Sequence, residues 1–536
     1  MPPSAPPTPP ADAPSGAALR RALEQPATYP YTPDAITVVQ THISYVALAP
    51  PYVYKIKKPV DLGFLDFTTL ERRRHYCEEE IRLNRRLCAR IYEGVVPLSM
   101  TDDGLRLDDA SNVVDVAVKM RMLPHEDFFD ARLERGALTE DDLQAVVDTL
   151  ATFYRERTAT PPVAANGRVA RIWANIHENF TQATAHRDAL ITHPAYRALQ
   201  YAAERFMDQH AALFHQRRAN GHVVDGHGDL RLEHVHRSAE GLCIYDCIEF
   251  TERFRHIDIA NDVAFLAMEL DVFGRPDLSR FFIDQMADAL DDADLHTLVP
   301  FYKSYRAFVR GKVNGMKRDD PDITGEALDA CERDSRRFYQ WALRYFVGAG
   351  RPRVVVVMGR PGTGKSTQAQ ALHDALGWEV ASSDRVRKTL AGVPLHERPD
   401  AATRSQLYST NMTARTYDAL ANRAANRAKT GQSTILDATY SRISTRDALR
   451  KCLHDAGTRP IFAELTAPDE ALKSRLAARA TQSDVVSDAR ASDFEMLTAR
   501  YEAPDALEDA RHVRVSAHDD PDATTLDLLK QLVRIA

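Results

Sequence analysis

Residues 354–366 read VVVVMGRPGTGKS, and this stretch constrains the fold more than any other part of the chain. Four valines and a methionine make a short apolar run rich in β-branched residues, the pattern of a strand buried in a parallel sheet. The next eight residues, Gly359 to Ser366, fit G-x-x-x-x-G-K-[ST], and a helical stretch follows that Gly377 is placed to end. Strand, glycine loop and helix therefore come in the order that a phosphate-binding P-loop requires. Glycines let the backbone curl so that several N–H groups face one anion, and the helix start adds partial positive charge at the same point. The pattern predicts a nucleotide loop over Gly359, Arg360, Pro361, Gly362, Thr363, Gly364, Lys365, Ser366 and Thr367. Lys365 is expected to reach the β- and γ-phosphates and Ser366 to ligate Mg2+.

A chain of 536 residues has room for two or three domains. Its net charge of −7 gives no global basic signature for nucleic acid, although a local basic groove is compatible with it. The six cysteines, Cys77, Cys88, Cys243, Cys247, Cys331 and Cys452, are scattered without a CxxC pair. That spacing predicts a reduced, cytoplasmic protein and argues against a zinc ribbon. No apolar run approaches the roughly 20 residues that a membrane helix needs. The Pro/Ala-rich start has neither a basic region nor an apolar core, so residues 1–27 are expected to be a disordered tail rather than a signal peptide. A linker is expected at 348–352, and 353–536 alternates strand and helix, the pattern of an α/β domain with a parallel sheet.

Within 353–536, ASSDRVRKTLAG places Asp384 and Arg387 one helical turn apart just after a strand. Ligands in open α/β sheets bind at the carboxyl ends of strands, so the carboxylate is a candidate base for an acceptor hydroxyl and the arginine a candidate anion holder. The plainer alternative is a helix N-cap with a solvated arginine. STILDATYSRISTR, residues 433–446, offers Asp437 to orient Mg2+ or its water, and Arg446 on the following helix. Arg475 and Arg479, four apart, are candidates to fold over a triphosphate and stabilise developing charge, or else belong to a solvated basic helix. These segments resemble the small P-loop kinases: 5′-hydroxyl polynucleotide kinases, zeta-toxin-like kinases and gluconate-kinase-like enzymes. The resemblance implies that Asp384 activates the acceptor and Arg387 positions it, and it leaves the acceptor open.

Upstream, GHGDLRLEHVHR (226–237) and YDCIEF (245–250) are similar to the catalytic loop and metal segment of aminoglycoside and choline phosphotransferases. That resemblance implies a bilobal α+β kinase-like domain over 28–347, with lobes at 28–122 and 123–347. Asp229 would be the base, Asp246 a Mg2+ ligand, and Lys55 or Lys57 the phosphate-binding lysine paired with Glu80. Met122, in KMRMLP, falls in the expected hinge against adenine. Two departures stand out. His234 occupies the position where these families place a metal-binding asparagine, and ISYVALAPPY contains no glycine loop. His227, His234 and His236 also admit a zinc reading, although catalytic-loop packing accounts for their clustering with Asp229. Asp262 is expected to brace that loop, and Arg310 and Lys312 to lie on a solvated face or line an acceptor cleft. Asp61 and Asp66 are expected in a turn.

The chain as a whole resembles a group in which such a phosphotransferase domain is fused to a P-loop kinase. The leading expectation is a bifunctional phosphotransferase that uses ATP and Mg2+ on a hydroxyl acceptor, either a small molecule or a polynucleotide 5′ end. The alternatives are a P-loop kinase regulated by a ligand-sensing pseudokinase domain, and an ATP-dependent switch or scaffold.

Overall fold

The computed structural model describes residues 16–536 apart from 42, 64, 158, 321–322, 349–350, 397–398, 481–491, 493 and 505–510, together with the side chains of 479 and 480. The chain divides into two compact units. The first comprises Met1–Ile176 with Gln209–Arg306, and the second His177–Asp208 with Ala307–Ala536.

The first unit carries a six-stranded sheet in the order Thr37–Gln40, Ser44–Ala49, Tyr52–Lys57, Val113–Arg121, Tyr92–Thr101, Gly104–Leu107. Every neighbouring pair is antiparallel. The period of two along Tyr52–Lys57 turns Lys55 and Lys57 to one face. Helix Leu70–Asn84, capped by the Thr69 side chain on the Arg72 N–H, packs on this sheet and buries Glu80. Strand Val223–Asp225 pairs with His256–Asp258, and Val235–Ser238 with Gly241–Ile244, so residues 226–234 form the loop between two small ribbons. Helix Ile259–Val272 is buried along its whole length, which is why it is apolar all round apart from a few acidic and amide positions.

Two expectations are corrected here. Residues 1–15 of the expected tail lie outside the described residues, but Gly16–Leu23 is a helix whose Leu19 and Leu23 enter the core beside Tyr45 and Leu105. Leucines four apart give even this Ala-rich stretch an apolar face to bury. Cys88 and Cys243 form a disulfide, although 155 residues separate them. Folding brings the end of the Glu80 helix against the strand leading to Asp246, a juxtaposition that cysteine spacing cannot report.

The second unit holds a five-stranded parallel sheet in the order Glu379–Ser382, Thr434–Asp437, Val354–Gly359, Pro460–Thr466, His512–Ser516. Val354–Gly359 is central and entirely buried, as its valine run predicts. Helix Glu326–Gly348 packs on helix Lys365–Leu376, with Gln340 Nε2 donating to the Asp374 carbonyl, so compactness groups residues 307–348 with the phosphate-loop sheet. Among the described residues, no helix is long and apolar enough to cross a membrane.

Candidate functional site

In the second unit, parallel pairing sets Asp437 beside both Val357 and Ser382, so the carboxyl ends of three strands meet along one sheet edge. The loop at that edge bends as a phosphate loop must. Gly362 has φ +85°, and a Cβ there would lie 2.9 Å from the Leu472 carbonyl oxygen. Gly364, also at positive φ, caps helix Lys365–Leu376. Lys365 Nζ donates to the Arg360 carbonyl at 3.1 Å, which folds the lysine back over its own loop. Ser366 Oγ donates to Asp437 Oδ2 at 2.7 Å. Burial pushes the Asp437 carboxyl above its ordinary range, an effect that Lys365 and Ser366 partly offset.

A cavity of about 1580 Å³ opens over this edge, lined by Pro361, Gly362, Gly364, Lys365, Ser366, Thr367, Asp384, Arg387, Asp437 and Arg475, among others. It thus joins the loop to both members of the Asp384–Arg387 element. Arg387 is no solvated arginine: it is buried, donates to the Leu407 carbonyl at 3.2 Å, and stacks 4.5 Å from the Tyr408 ring centre. Arg475 pairs with Asp519 at 3.1 Å, and the side chain of Arg479 lies outside the described residues.

Arg446 lies on the helix after Asp437, as expected, but it is fully buried, donates to the Tyr440 carbonyl at 2.7 Å and does not line the cavity. Two expected loop positions differ in detail. Arg360 turns its side chain to Asp469 at 2.8 Å, leaving only its backbone to the loop. Thr363 is buried with its hydroxyl on the Arg360 carbonyl. The sequence reading missed Arg404, Tyr408, Arg442 and Arg500, all of which line the cavity. Arg404, Tyr408 and Arg500 come from segments between the strands that carry no motif, whereas Arg442 sits inside STILDATYSRISTR.

The first unit gathers a second set of charged groups. Lys55 Nζ lies 2.6 Å from Asp246 Oδ1 and 3.0 Å from Glu80, while Lys57 Nζ bonds Glu80 at 2.8 Å and also Glu249. Both lysines thus meet Glu80, but Lys57 is fully buried and Lys55 keeps 13% of its side chain exposed, next to an Asp246 that is 35% exposed. Burial works against charge on Lys55, yet Asp246 and Glu80 outweigh it and hold the ammonium well above its ordinary range. Burial likewise opposes the Asp246 carboxylate, and Lys55 and His234 outweigh it to bring that carboxyl down. Glu249 is pushed up by burial, with Lys57 only partly compensating. Asp246 adopts φ +63°, a left-handed conformation that an aspartate tolerates better than most residues.

The 226–234 loop is braced from below. Asp262 accepts from the His227 and Gly228 N–H groups at 2.7 and 2.8 Å and from the Tyr154 hydroxyl. Seven residues along the same buried helix, Glu269 accepts from Arg231 Nε and from the Leu232 N–H. Arg306 donates to the Gly228 carbonyl at 3.0 Å. Asp262 was anticipated. Glu269 was signalled only by its seven-residue spacing, and Arg306 by nothing local. Arg310 stacks on Phe338 and Lys312 bonds Asn179 and Gln182.

Asp229 is linked to His234, whose Nδ1 lies 2.8 Å from the Asp229 carbonyl, while its Nε2 lies 3.4 Å from Asp246 Oδ2. His227 bonds the Tyr245 carbonyl and His236 packs on Phe128, so the three histidines do not converge. Among the described residues, no group of three or more His, Cys, Asp or Glu is arranged to hold a metal. In the expected hinge segment, the Met122 N–H is bonded to the Pro51 carbonyl at 2.9 Å. Asp61 and Asp66 face each other across a turn, as expected.

Residues 354–504 match the model of a family described as an AAA domain. Over 467 residues the chain is 30% identical to Uncharacterized protein Rv2004c of Mycobacterium tuberculosis (strain ATCC 25618 / H37Rv), a match covering 87% of this chain and 90% of that protein. Uncharacterized protein Mb2027c of Mycobacterium bovis matches with the same identity and coverage. The chain belongs to the family of these mycobacterial proteins. That match runs far beyond the AAA-domain segment, so family membership is a property of both units together. Among solved structures, a gluconokinase from Sinorhizobium meliloti 1021 is 22% identical and covers 34% of this chain and 94% of its own, with a TM-score of 0.26. The APS kinase CysC of Mycobacterium tuberculosis in complex with AMPPNP and APS is 20% identical and covers 34% of this chain and 98% of its own, also with a TM-score of 0.26.

Proposed function

We propose that the second unit is an ATP-dependent kinase that moves the γ-phosphoryl group to a hydroxyl acceptor, and that the first unit is a second nucleotide site of kinase-like type. One observation carries the proposal for the second unit: a single cavity joins the glycine loop, the Ser366–Asp437 pair and the Asp384–Arg387 element. Loop N–H groups and Lys365 hold the phosphates, and Asp384 takes the acceptor proton as the hydroxyl oxygen attacks the γ-phosphorus and the bond to the β,γ-bridging oxygen breaks, leaving ADP. Arg387, fixed by Leu407 and Tyr408, orients the acceptor. Mg2+ would supply charge neutralisation on the phosphate oxygens. The oxygen donors Ser366 Oγ and Asp437 Oδ2, 2.7 Å apart, suit that hard cation directly or through water. Asp384→Asn should leave ATP affinity near normal and cut transfer by roughly 10²–10⁴-fold in a labelled-ATP assay over metabolites and oligonucleotides. Equal loss of ATP binding would make Asp384 a metal or structural residue instead.

For the first unit, support comes from the strand order around Tyr52–Lys57, the helix that supplies Glu80, and the braced loop that presents Asp229. Lys55 is the phosphate-contacting lysine in this proposal, because it alone of the two lysines reaches Asp246 and keeps an exposed side. Regulation without transfer is a second reading, favoured by the glycine-free connection through Thr41 and Ile43 and by the engaged Met122 N–H.

A further inference from the structure

His234 stands where an amide oxygen was expected, and its hydrogen bonding fixes what it can offer instead. The Asp229 carbonyl is an acceptor only, so Nδ1, at 2.8 Å, must carry a proton and donate to it. In the neutral ring this leaves the lone pair on Nε2. That nitrogen faces Asp246 Oδ2 at 3.4 Å, while the other oxygen of the same carboxylate is bound by Lys55 at 2.6 Å. Glu233 Oε1 lies 3.6 Å from Nε2 and also pairs with Arg231. A lone pair and a carboxylate oxygen aimed at each other repel unless a cation lies between them. A metal ion held together with nucleotide answers that need. Two donors on neighbouring corners of an octahedron with bonds of about 2.0–2.1 Å are separated by about 2.9 Å, so the two atoms, 3.4 Å apart here, would draw together by about half an ångström to share an ion.

We propose that His234 Nε2 and Asp246 Oδ2 form a nitrogen–oxygen metal site in the first unit that takes Mn2+ in preference to Mg2+, with nucleotide phosphates and water completing the shell. The proposal rests on the reading of this unit as a nucleotide site. Mg2+ favours an all-oxygen shell, whereas a first-row ion accepts imidazole, and Mn2+ is the member of that series that also suits an otherwise oxygen-rich octahedron. The carbonyl bond at Nδ1 orients the ring, as outer partners of metal-bound histidines do. By contrast, the oxygen-only Ser366–Asp437 pair of the second unit gives no reason to discriminate against Mg2+.

The test uses the full chain with a non-hydrolysable ATP analogue. Pulsed electron paramagnetic resonance of bound Mn2+ should show nitrogen coupling from a directly bonded imidazole, and His234→Asn should abolish it. Calorimetric competition on a Gly362→Ala background, which weakens nucleotide binding at the second unit's loop, should give a Mn2+-over-Mg2+ preference that His234→Asn lowers on the order of tenfold, chiefly by improving Mg2+ binding. Nucleotide-dependent metal binding with no imidazole coupling, or with a preference unmoved by His234→Asn, would overturn the metal assignment while sparing the nucleotide site. Absence of nucleotide binding sensitive to Asp246→Ala would overturn both.

Discussion

Under the proposed function, the two units would hold phosphate in opposite ways. In the second unit the anion site is backbone: a glycine loop at the end of a central strand, a helix start, and one lysine folded onto its own loop. The cavity above the loop is large, about 1580 Å³. In the first unit the site consists of side chains already in mutual contact, with Lys55, Lys57, Glu80, Asp246 and Glu249 forming one continuous network. A backbone cradle is rigid because its φ angles are set by sterics. A side-chain network is rigid because each buried charge needs its partner. Damage should therefore follow different rules in the two units.

The sharpest contrast comes from the lysines. Lys57→Met leaves Glu80 and Glu249 buried without their shared cation and should destabilise the first unit by about 3–5 kcal/mol, read as faster hydrogen exchange along Tyr52–Lys57. Lys55→Met should cost less stability, because Asp246 can turn to water, while weakening nucleotide binding. If the two variants behave alike, the division between a structural and a ligand-facing lysine fails.

Lys365→Ala should do the reverse. It removes an interaction that strengthens as charge develops on the transferring group, so turnover should fall on the order of 10²-fold or more with little change in stability. Unchanged turnover would break the assignment of the glycine loop as the catalytic phosphate site.

A smaller effect distinguishes backbone from side-chain control. Gly362→Ala introduces both a strained φ and a contact with the Leu472 carbonyl, at about 1–3 kcal/mol for the strained conformation. The variant should lose ATP affinity in calorimetry while nucleotide binding sensitive to Asp246→Ala is retained.

The smallest is electrostatic and local to the second unit's sheet. Burial alone would raise the Glu464 carboxyl, but the His512 contact and the hydrogen bonds from Arg514 and Tyr501 outweigh it and bring it down to about 2 from 4.5. A depressed folded-state value means that this stabilisation is fully present above the unfolded value and is lost as pH falls from 4.5 towards about 2. Melting curves of wild type and Glu464→Gln should differ by a constant margin above pH 4.5 and converge in acid. A margin independent of pH would show that packing rather than ionisation accounts for it.

The P-loop sheet was legible because its information is local. A β-branched run, glycines at fixed intervals and a following helix act over thirteen neighbouring residues, and the structure repeats that order from Val354 to Ser366. Asp262 was legible through a motif, and Asp384 and Arg387 through their place after a strand. The burial of Arg446 was not legible: its position near a strand end said nothing about which way the side chain would turn, and the core beneath Tyr440 took it. The bond from the Met122 N–H was likewise not legible, because the Pro51 carbonyl that accepts it belongs to a strand connection distant along the chain.

What the sequence alone determined was the chemistry available at each strand end and the period that presents it: the phosphate loop, the paired lysines and the acidic turns. Only the tertiary structure decided which of these groups meet. It joined Lys57 to Glu249 across 192 residues, Cys88 to Cys243 across 155, and Arg404 and Tyr408 to the cavity over the loop. The physical reason is range. Backbone conformation and side-chain period are set by nearest neighbours along the chain, whereas ion pairs, disulfides and cavities depend on distances that exist only after distant segments have buried their apolar faces together.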